Sequence, residues 1–409
     1  MIINTLNLMQ KFIFIICFCF TSIILSAQYF SVSDSAVVSV LTCSPMEEVY
    51  AQYGHTAIRV NDPKSGLDIV FNYGIFDFGT PNFVGKFVAG ATDYQLGITE
   101  MENFLHEYDA HNQMVTEQIL NFTCAERKQF IKALLDNYQQ ENRFYRYNFI
   151  YDNCSIRPRD KILYATEGFV LFNDVCEQKT FRSWIGIYVG ADTWTKFGID
   201  LIFGEEADRM ATQKESMFLP ELLMLELQTA KIIDKIGVKR NLISQKRVLL
   251  SKKENKKQID NPFISPLTLS IIILVIGIMI IFLEKYIRYL RRSFDSVLLM
   301  ITGLAGLLVA YLMFFSVHPL VQSNYNLLWL NPFNTIVGAT IWINRLRKYF
   351  FFYYIINVIL IIAALVISAL SIQVFNDAAI PLMLLIVVRL SRRIFRAKKR
   401  KHKHRITKV

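Results

Sequence analysis

The sequence predicts an α+β domain followed by an α-helical membrane domain of about five spans. Three observations predict this. Residues 28–250 alternate short β-like runs with helical patterns. From Ser265 the chain turns into long apolar runs. Basic residues recur after alternate runs and collect at the C-terminus.

The charge distribution narrows the function classes. The 409 residues are 53% hydrophobic, with 45 Lys and Arg against 34 Asp and Glu and a formal net charge of +11. Residues 389–409 hold eleven Lys or Arg and no acid, which leaves 34 basic against 34 acidic residues in the body. The body is neutral, and the excess is a tail. A nucleic-acid-binding domain spreads its basic residues over a folded face, so no nucleic-acid partner is expected. Aromatics at 13% argue against general disorder, and six Cys against a disulfide-dense mini-scaffold.

Residues 1–27 read as a secretory signal. Lys11 is the only charge, and an apolar run, Phe12–Phe20, leads into small residues ending at Ala27. A retained anchor is the competing reading; either way the next domain is exported. That domain, 28–250, shows strand patterns at Ala36–Thr42, His55–Val60, Ile69–Tyr73 and Tyr145–Tyr151. Helical patterns cover Ala125–Glu141, behind the cap-like Thr123, and a long stretch from Leu219 to about Leu249. Residues 251–262 form a polar linker.

Five apolar runs follow within 263–390: Pro266–Leu283, Ser296–Ser316, Leu327–Ile343, Tyr349–Ile372 and Ala378–Leu390. The third is weak, interrupted by Asn331, Pro332 and Asn334. Charge placement argues for counting it. Lys285–Arg292 and Arg345–Lys348 are basic, while the segments 317–326 and 373–377 hold no Lys or Arg. Five spans alternate these loops in and out and leave the 391–409 tail inside. This places the 28–250 domain outside the cytoplasm.

Two residues in the exported domain suggest nucleophilic chemistry. Cys154 lies where an aromatic strand pattern meets the cap-type residues Asp152 and Asn153 and a following helical pattern. Free N–H groups and the helix dipole at such a junction favour a thiolate. They also stabilise an oxyanion formed after attack on a carbonyl. A thiol nucleophile needs a base, and His55, after Gly54 at a strand start, is the candidate. The competing reading makes the first a packing Cys and the second a structural His. Cys43, Cys124 and Cys176 are packing residues, or one disulfide plus a leftover. Neither a cofactor nor a metal is implied.

The strings LTCSPMEEVYAQYGHTAIRV, FNYGIFDFGTPNFVGKF and YDNCSIRPRDKI, in that order, resemble the periplasmic domain of the Lnb-type lipoprotein N-acyltransferase family of Bacteroidota. HPLVQSNYNLLWLNP, between two spans, also resembles that family. The order His, then Asn-Cys, is similar to circularly permuted NlpC/papain-like thiol enzymes, among which lecithin:retinol acyltransferase has a similar Asn-Cys element. The resemblance implies Cys154 as nucleophile, His55 as its base and an acyl-thioester intermediate. Asn72 would orient the imidazole; a strand-end Asn is the competing reading. Arg59, Arg157 and Arg159 are candidates for holding phosphate, against a solvated strand or helix face as the competing reading, and Asn153 for touching substrate beside the thiol. His318 and Asn326, with Asn324 and Asn331, are candidates for lipid head groups, against plain interfacial anchoring.

The implied function is acyl transfer from phospholipid, through a Cys154 thioester, to the α-amine of diacylglyceryl-cysteine lipoproteins. The partners are then a phospholipid donor, a lipoprotein acceptor and the membrane. The location is the bacterial inner membrane, with the main domain periplasmic and the C-terminus cytoplasmic. Two alternatives stay open: a membrane-anchored cell-wall peptidase or amidase with the same dyad, and a non-enzymatic envelope assembly protein.

Overall fold

The computed structural model describes residues 32–46, 48, 51–77, 79–252, 263–284 and 286–406. The expected leader, 1–27, and most of the 251–262 linker lie outside the described residues. Strands β1 (Val37–Cys43), β2 (His55–Asp62) and β3 (Leu67–Ile75) come first. Helix α1 (Phe83–Ala89) then precedes β4 (Asp93–Glu100), and α2 (Met101–Ala110) precedes β5 (Val115–Leu120). Next come α3 (Cys124–Tyr138), β6 (Phe144–Arg146), α4 (Ile156–Ala165) and β7 (Phe169–Leu171). Helices α5 (Phe181–Val189), α6 (Trp194–Ile202), α7 (Gln213–Ser216) and α8 (Pro220–Thr229) lead to β8 (Lys231–Ile233), β9 (Lys239–Asn241) and β10 (Ile243–Leu250).

Seven strands form one antiparallel sheet in the order β10-β5-β1-β2-β3-β4-β6, and β7-β8-β9 form a small second one. Residue alternation covers both faces of the large sheet. Val38, Val40, Ile58, Val60, Phe71 and Tyr73 pack with Phe130, Leu134, Ile162, Leu223 and Leu227 of the helices on one side. Leu41, Cys43, Ala57 and Val70 meet Met101 and Phe104 of α2 on the other. Thr123 and Glu126 close a capping box that starts α3 where the sequence places it.

Two local expectations need correction. The helix expected from Leu219 to about Leu249 stops at Thr229, and β8, β9 and β10 follow. Gly237, at φ 87°, turns the chain between β8 and β9. Pairing with β5 then sets the structure of 243–250, whose mixed apolar and charged pattern suits an exposed edge strand as well as a helix. The strand expected over Tyr145–Tyr151 ends at Arg146. The Asn148 side chain takes the N–H groups of Ile150 and Tyr151 and bends the chain into a turn.

The C-terminal region is helical: α9 (Pro266–Leu283), α10 (Arg288–Phe315), α11 (Asn334–Thr340), α12 (Arg347–Ala369) and α13 (Ala379–Ile406). Among the described residues three helices are long and apolar enough to cross a membrane, at Pro266–Leu283, Tyr289–Phe315 and Lys348–Ala369. The weak third run is α-helical only over α11, yet it follows α10 closely. The chain passes Leu330 against Gly306, Thr335 against Gly303 and Gly338 against Met300, and Asn344 reaches Arg292. Buried Asn334 takes hydrogen bonds from Tyr353 (2.6 Å) and Asn357 (2.9 Å) of α12. Helix α13 carries its apolar half into the basic segment, where Arg389 pairs with Asp295 (2.6 Å) and Arg392 with Glu284 (2.6 Å). These arginines therefore brace the helical region.

A polar seam joins the two regions. Asp200 in α6 is buried between Arg182 (2.9 Å) and Lys196, and Arg182 also pairs with Asp208 (2.8 Å). Asn376, just ahead of α13, donates to Asp200 Oδ2 at 2.8 Å. The Gly204 N–H donates to the Leu320 carbonyl at 2.8 Å. A Cβ on Gly204 would lie 1.7 Å from the Gln322 carbonyl oxygen, so the contact needs glycine.

Candidate active site

Antiparallel pairing fixes which residues share the site. Cys43 lies opposite His55, and Ala57 opposite Asn72. Cys43, His55 and Asn72 therefore stand at one end of the sheet, on the face covered by α2. His55 and Asn72 are diagonal cross-strand neighbours, within reach of long side chains. His55 Nε2 meets Asn72 Oδ1 at 3.3 Å. Its other ring nitrogen is left for the thiol.

Cys154 comes to this end on the turn before α4. Asn153 builds that turn. Its Oδ1 accepts the N–H groups of Ser155 and Ile156, each at 2.9 Å, and its Nδ2 donates to the carbonyls of Phe149 (2.9 Å) and Phe218 (2.8 Å). This is the work of a helix cap, although the chain turns helical only after Ser155. Ser155 Oγ and Thr56 Oγ1, 3.0 Å apart, tie the turn to the start of β2. The Cys154 thiol hydrogen-bonds with His55, and the Thr56 N–H donates to it. Both dyad residues are part-exposed.

The electrostatics suit a thiolate. Burial pushes the Cys154 thiol up, but the neighbouring imidazolium and hydrogen bonds from His55, Thr56 and Ser155 outweigh it and hold the thiol below its ordinary value. For His55, burial pulls the imidazole down, while the Cys154 charge, the bonds to Cys154 and Asn72, and Glu107 carry it above its ordinary value. Cys43 shows the contrast: burial pushes its thiol up, and the hydrogen bond with Tyr108 only partly offsets it. Cys176 is pushed up to about 12 by burial and by Glu226. All four described cysteines are free thiols. Among the described residues no group of three or more His, Cys, Asp or Glu is placed to hold a metal ion.

The remaining expected contacts are engaged elsewhere. All four hydrogen bonds of the Asn153 amide are internal and the residue is 2% exposed, so its side chain anchors the turn that carries Cys154. Arg59 pairs with Asp68 (2.6 Å) and Glu117 (3.0 Å) on the sheet. Arg157 is held by Asp152, and Arg159 by Asp160 and the Lys214 carbonyl. Asn326 is buried in the seam, donating to the carbonyls of Asp200 and Leu201 and accepting from Trp329. Its surroundings replace the expected head-group contact with a joint between regions. His318 donates from Nε2 to the Phe87 carbonyl at 2.8 Å, because a carbonyl only accepts. The sequence reading missed Thr56 and Ser155. Their positions directly after His55 and Cys154 were the only signal for them.

The site's outlook follows from the connectivity. Leaving β3 at the end that holds the dyad, the chain forms α1 before returning as β4. Helix α1 meets the loop after α10: Val317 N–H donates to the Ala89 carbonyl at 3.0 Å, beside the His318 bond. The dyad thus lies at the end of the domain that touches the helical region.

Two family models match the chain. The Lnb N-terminal periplasmic domain covers residues 28–185, and the Lnb transmembrane domain covers 257–401. No curated protein and no solved structure matches it. With both models matched in the order in which the fold places an exported sheet domain and a bundle of apolar helices, the chain belongs to the Lnb family and is a membrane protein with a periplasmic domain.

Proposed function

We propose that this protein is a lipoprotein N-acyltransferase. It moves an acyl chain from phospholipid, through a thioester on Cys154, to the α-amine of diacylglyceryl-cysteine lipoproteins. The observation that carries this reading is the thiol–imidazole pair at the membrane-facing end of the domain, since both substrates are anchored in the bilayer. The arrangement also supports the permuted NlpC/papain-like reading: a thiol on the turn leading into a helix packs against a strand-borne histidine that precedes it in the chain.

The thiolate of Cys154 attacks the ester carbonyl of a glycerophospholipid. The N–H of Cys154, which has no hydrogen-bond partner among the described residues, is open to the oxyanion. As the tetrahedral intermediate collapses, the C–O bond breaks and the His55 imidazolium protonates the lysophospholipid alkoxide. The acceptor amine then attacks the thioester, and His55 takes its proton. Collapse forms the amide and returns Cys154 as thiolate. Asn72 holds the imidazole in plane through Nε2.

Five crossings fit this reading. The segment along α10 joins the periplasmic seam at Asn326 to the level of Arg292, so α9 to α13 end with the basic helix in the cytoplasm. The membrane is then the inner one, reached by way of the N-terminal signal.

The test is lipoprotein mass spectrometry in a host lacking its own N-acyltransferase. Wild-type protein should yield triacylated lipoprotein and Cys154→Ala none. Diacylated lipoprotein alone, with folded wild type in the membrane, would sink the proposal. Isopeptide cleavage without acyl transfer would favour the peptidase reading.

A further inference from the structure

We propose that a line of aromatic rings from α1 to Cys154 is the bed on which one acyl chain of a bilayer glycerophospholipid lies as its ester reaches the thiol. This inference rests on the function proposed above and names the part of the donor that the site grips.

The line begins at the membrane boundary. None of the residues of α1 is buried; Val84 is 73% and Phe87 50% exposed. Beside them, at the end of the apolar α10, Phe315 and Val317 are 72% and 62% exposed. The bonds from Val317 and His318 to α1 hold these apolar surfaces together. Around a membrane-spanning helix such a continuous surface faces lipid.

From there the rings lead inward one after another. Phe87 stacks with Phe83 (centroids 6.1 Å apart), Phe83 with Phe76 (5.7 Å), and Phe76 packs on Tyr94 (5.1 Å). Tyr94 stacks on Tyr147 at 4.2 Å. Gly74, at φ 95°, closes the line: the point where its Cβ would stand is 3.9 Å from Tyr147 Cε2 and 3.9 Å from Cys154 Cβ. No side chain at position 74 separates the last ring from the nucleophile. An apolar chain laid on this row leaves the bilayer without crossing water, and its carbonyl end arrives where the thiolate is.

The segment between β3 and β4 carries Phe76, Phe83 and Phe87. Neither residue of the dyad belongs to it, so it can be altered without touching the chemistry. The experiment follows hydroxylamine-labile labelling of Cys154 in the full-length protein by two donors. One is a long-chain phosphatidylethanolamine in vesicles; the other is a short-chain phosphatidylethanolamine dispersed as monomers. In Phe83→Ala the ratio of long-chain to short-chain labelling should fall about tenfold, the effect of losing roughly one ring of apolar contact. Phe83→Trp should keep the wild-type ratio. The short-chain donor doubles as the folding control. An unchanged ratio in Phe83→Ala, including equal loss with both donors, overturns the bed while the acyltransferase reading stands. No labelling of wild type by either donor overturns that reading and the bed with it.

Discussion

Replacing Asn153 separates an anchoring role from a substrate-binding one. Its side chain makes four hydrogen bonds of 2.8–2.9 Å in a site that is 2% exposed. Asn153→Ala removes the cap from the N–H groups of Ser155 and Ile156, which costs about 1–2 kcal/mol. It also leaves the Phe149 and Phe218 carbonyls without their amide, at roughly 1 kcal/mol or more each. The total is about 3–5 kcal/mol, a large share of the ~5–15 kcal/mol that holds a domain together. For a domain of this size that lowers the melting temperature by about 10 °C. Asn153→Asp keeps the acceptor for two N–H groups but sets a carboxylate oxygen against two carbonyls, so it should also destabilise. The assay is thermal unfolding of the detergent-solubilised protein, alongside the rate of thioester formation. Both variants should melt early, and the surviving folded fraction should show a lower rate at saturating donor, because the turn that aims Cys154 is loose. A melting temperature within about 2 °C of wild type, with the loss confined to KM, would refute the anchoring argument and return Asn153 to the substrate.

Further outcomes follow from the same geometry. Thiol ionisation sets an acid limb below the ordinary thiol range, and loss of the imidazolium proton an alkaline limb above the ordinary imidazole range, so the rate of acyl transfer should be bell-shaped in pH. In His55→Gln the acid limb, read by iodoacetamide alkylation of the Cys154 peptide, should move to higher pH; an unmoved limb would deny the ion pair. Asn72→Ala removes one hydrogen bond to the imidazolium, long at 3.3 Å and therefore worth only about 1 kcal/mol, so kcat should fall roughly fivefold. A loss as complete as in Cys154→Ala would make Asn72 more than a positioning residue. Gly204→Ala drives a Cβ onto the Gln322 carbonyl at 1.7 Å, which should cost about 3 kcal/mol and lower transfer from vesicles more than from a dispersed short-chain donor. Equal activity with both donors at an unchanged melting temperature would show that the seam does not position the site.

What the sequence shows and what it hides divide along chain distance. Cys154 is conspicuous because an Asn-Cys-Ser string at a strand-to-helix junction is a local pattern, and His55 because Gly54 and an alternating run mark a strand start. The fold then brings the two together with Asn72. The commitments of the polar residues were hidden. Asn153 finds the Phe218 carbonyl 65 residues away, Arg59 finds Glu117 58 residues away, and Asn326 finds Asp200 126 residues away. No window of sequence contains both partners, so each looked free to meet a substrate. The same holds for residues 231–250, whose local pattern suits a helix until β7 offers β8, β8 offers β9, and β5 offers β10 a ladder of backbone hydrogen bonds.

The seam changes what the membrane helices have to do. A tether alone would keep a soluble enzyme near lipid, and a flexible linker would suffice for that. Here Asp200 is neutralised from the periplasmic side by Arg182 and Lys196 and bonded from the other side by Asn376, while Asn326 takes the carbonyls at the end of α6. A buried carboxylate with partners on both sides penalises any relative movement that breaks one of them. Helix α1 is pinned at a second, separate place by Val317 and His318. Two fixed points leave the sheet end little freedom to swing. The height of Cys154 above the apolar helices then becomes a structural constant. That is what a nucleophile requires if its donor ester and its acceptor amine both arrive at the depth set by the bilayer surface.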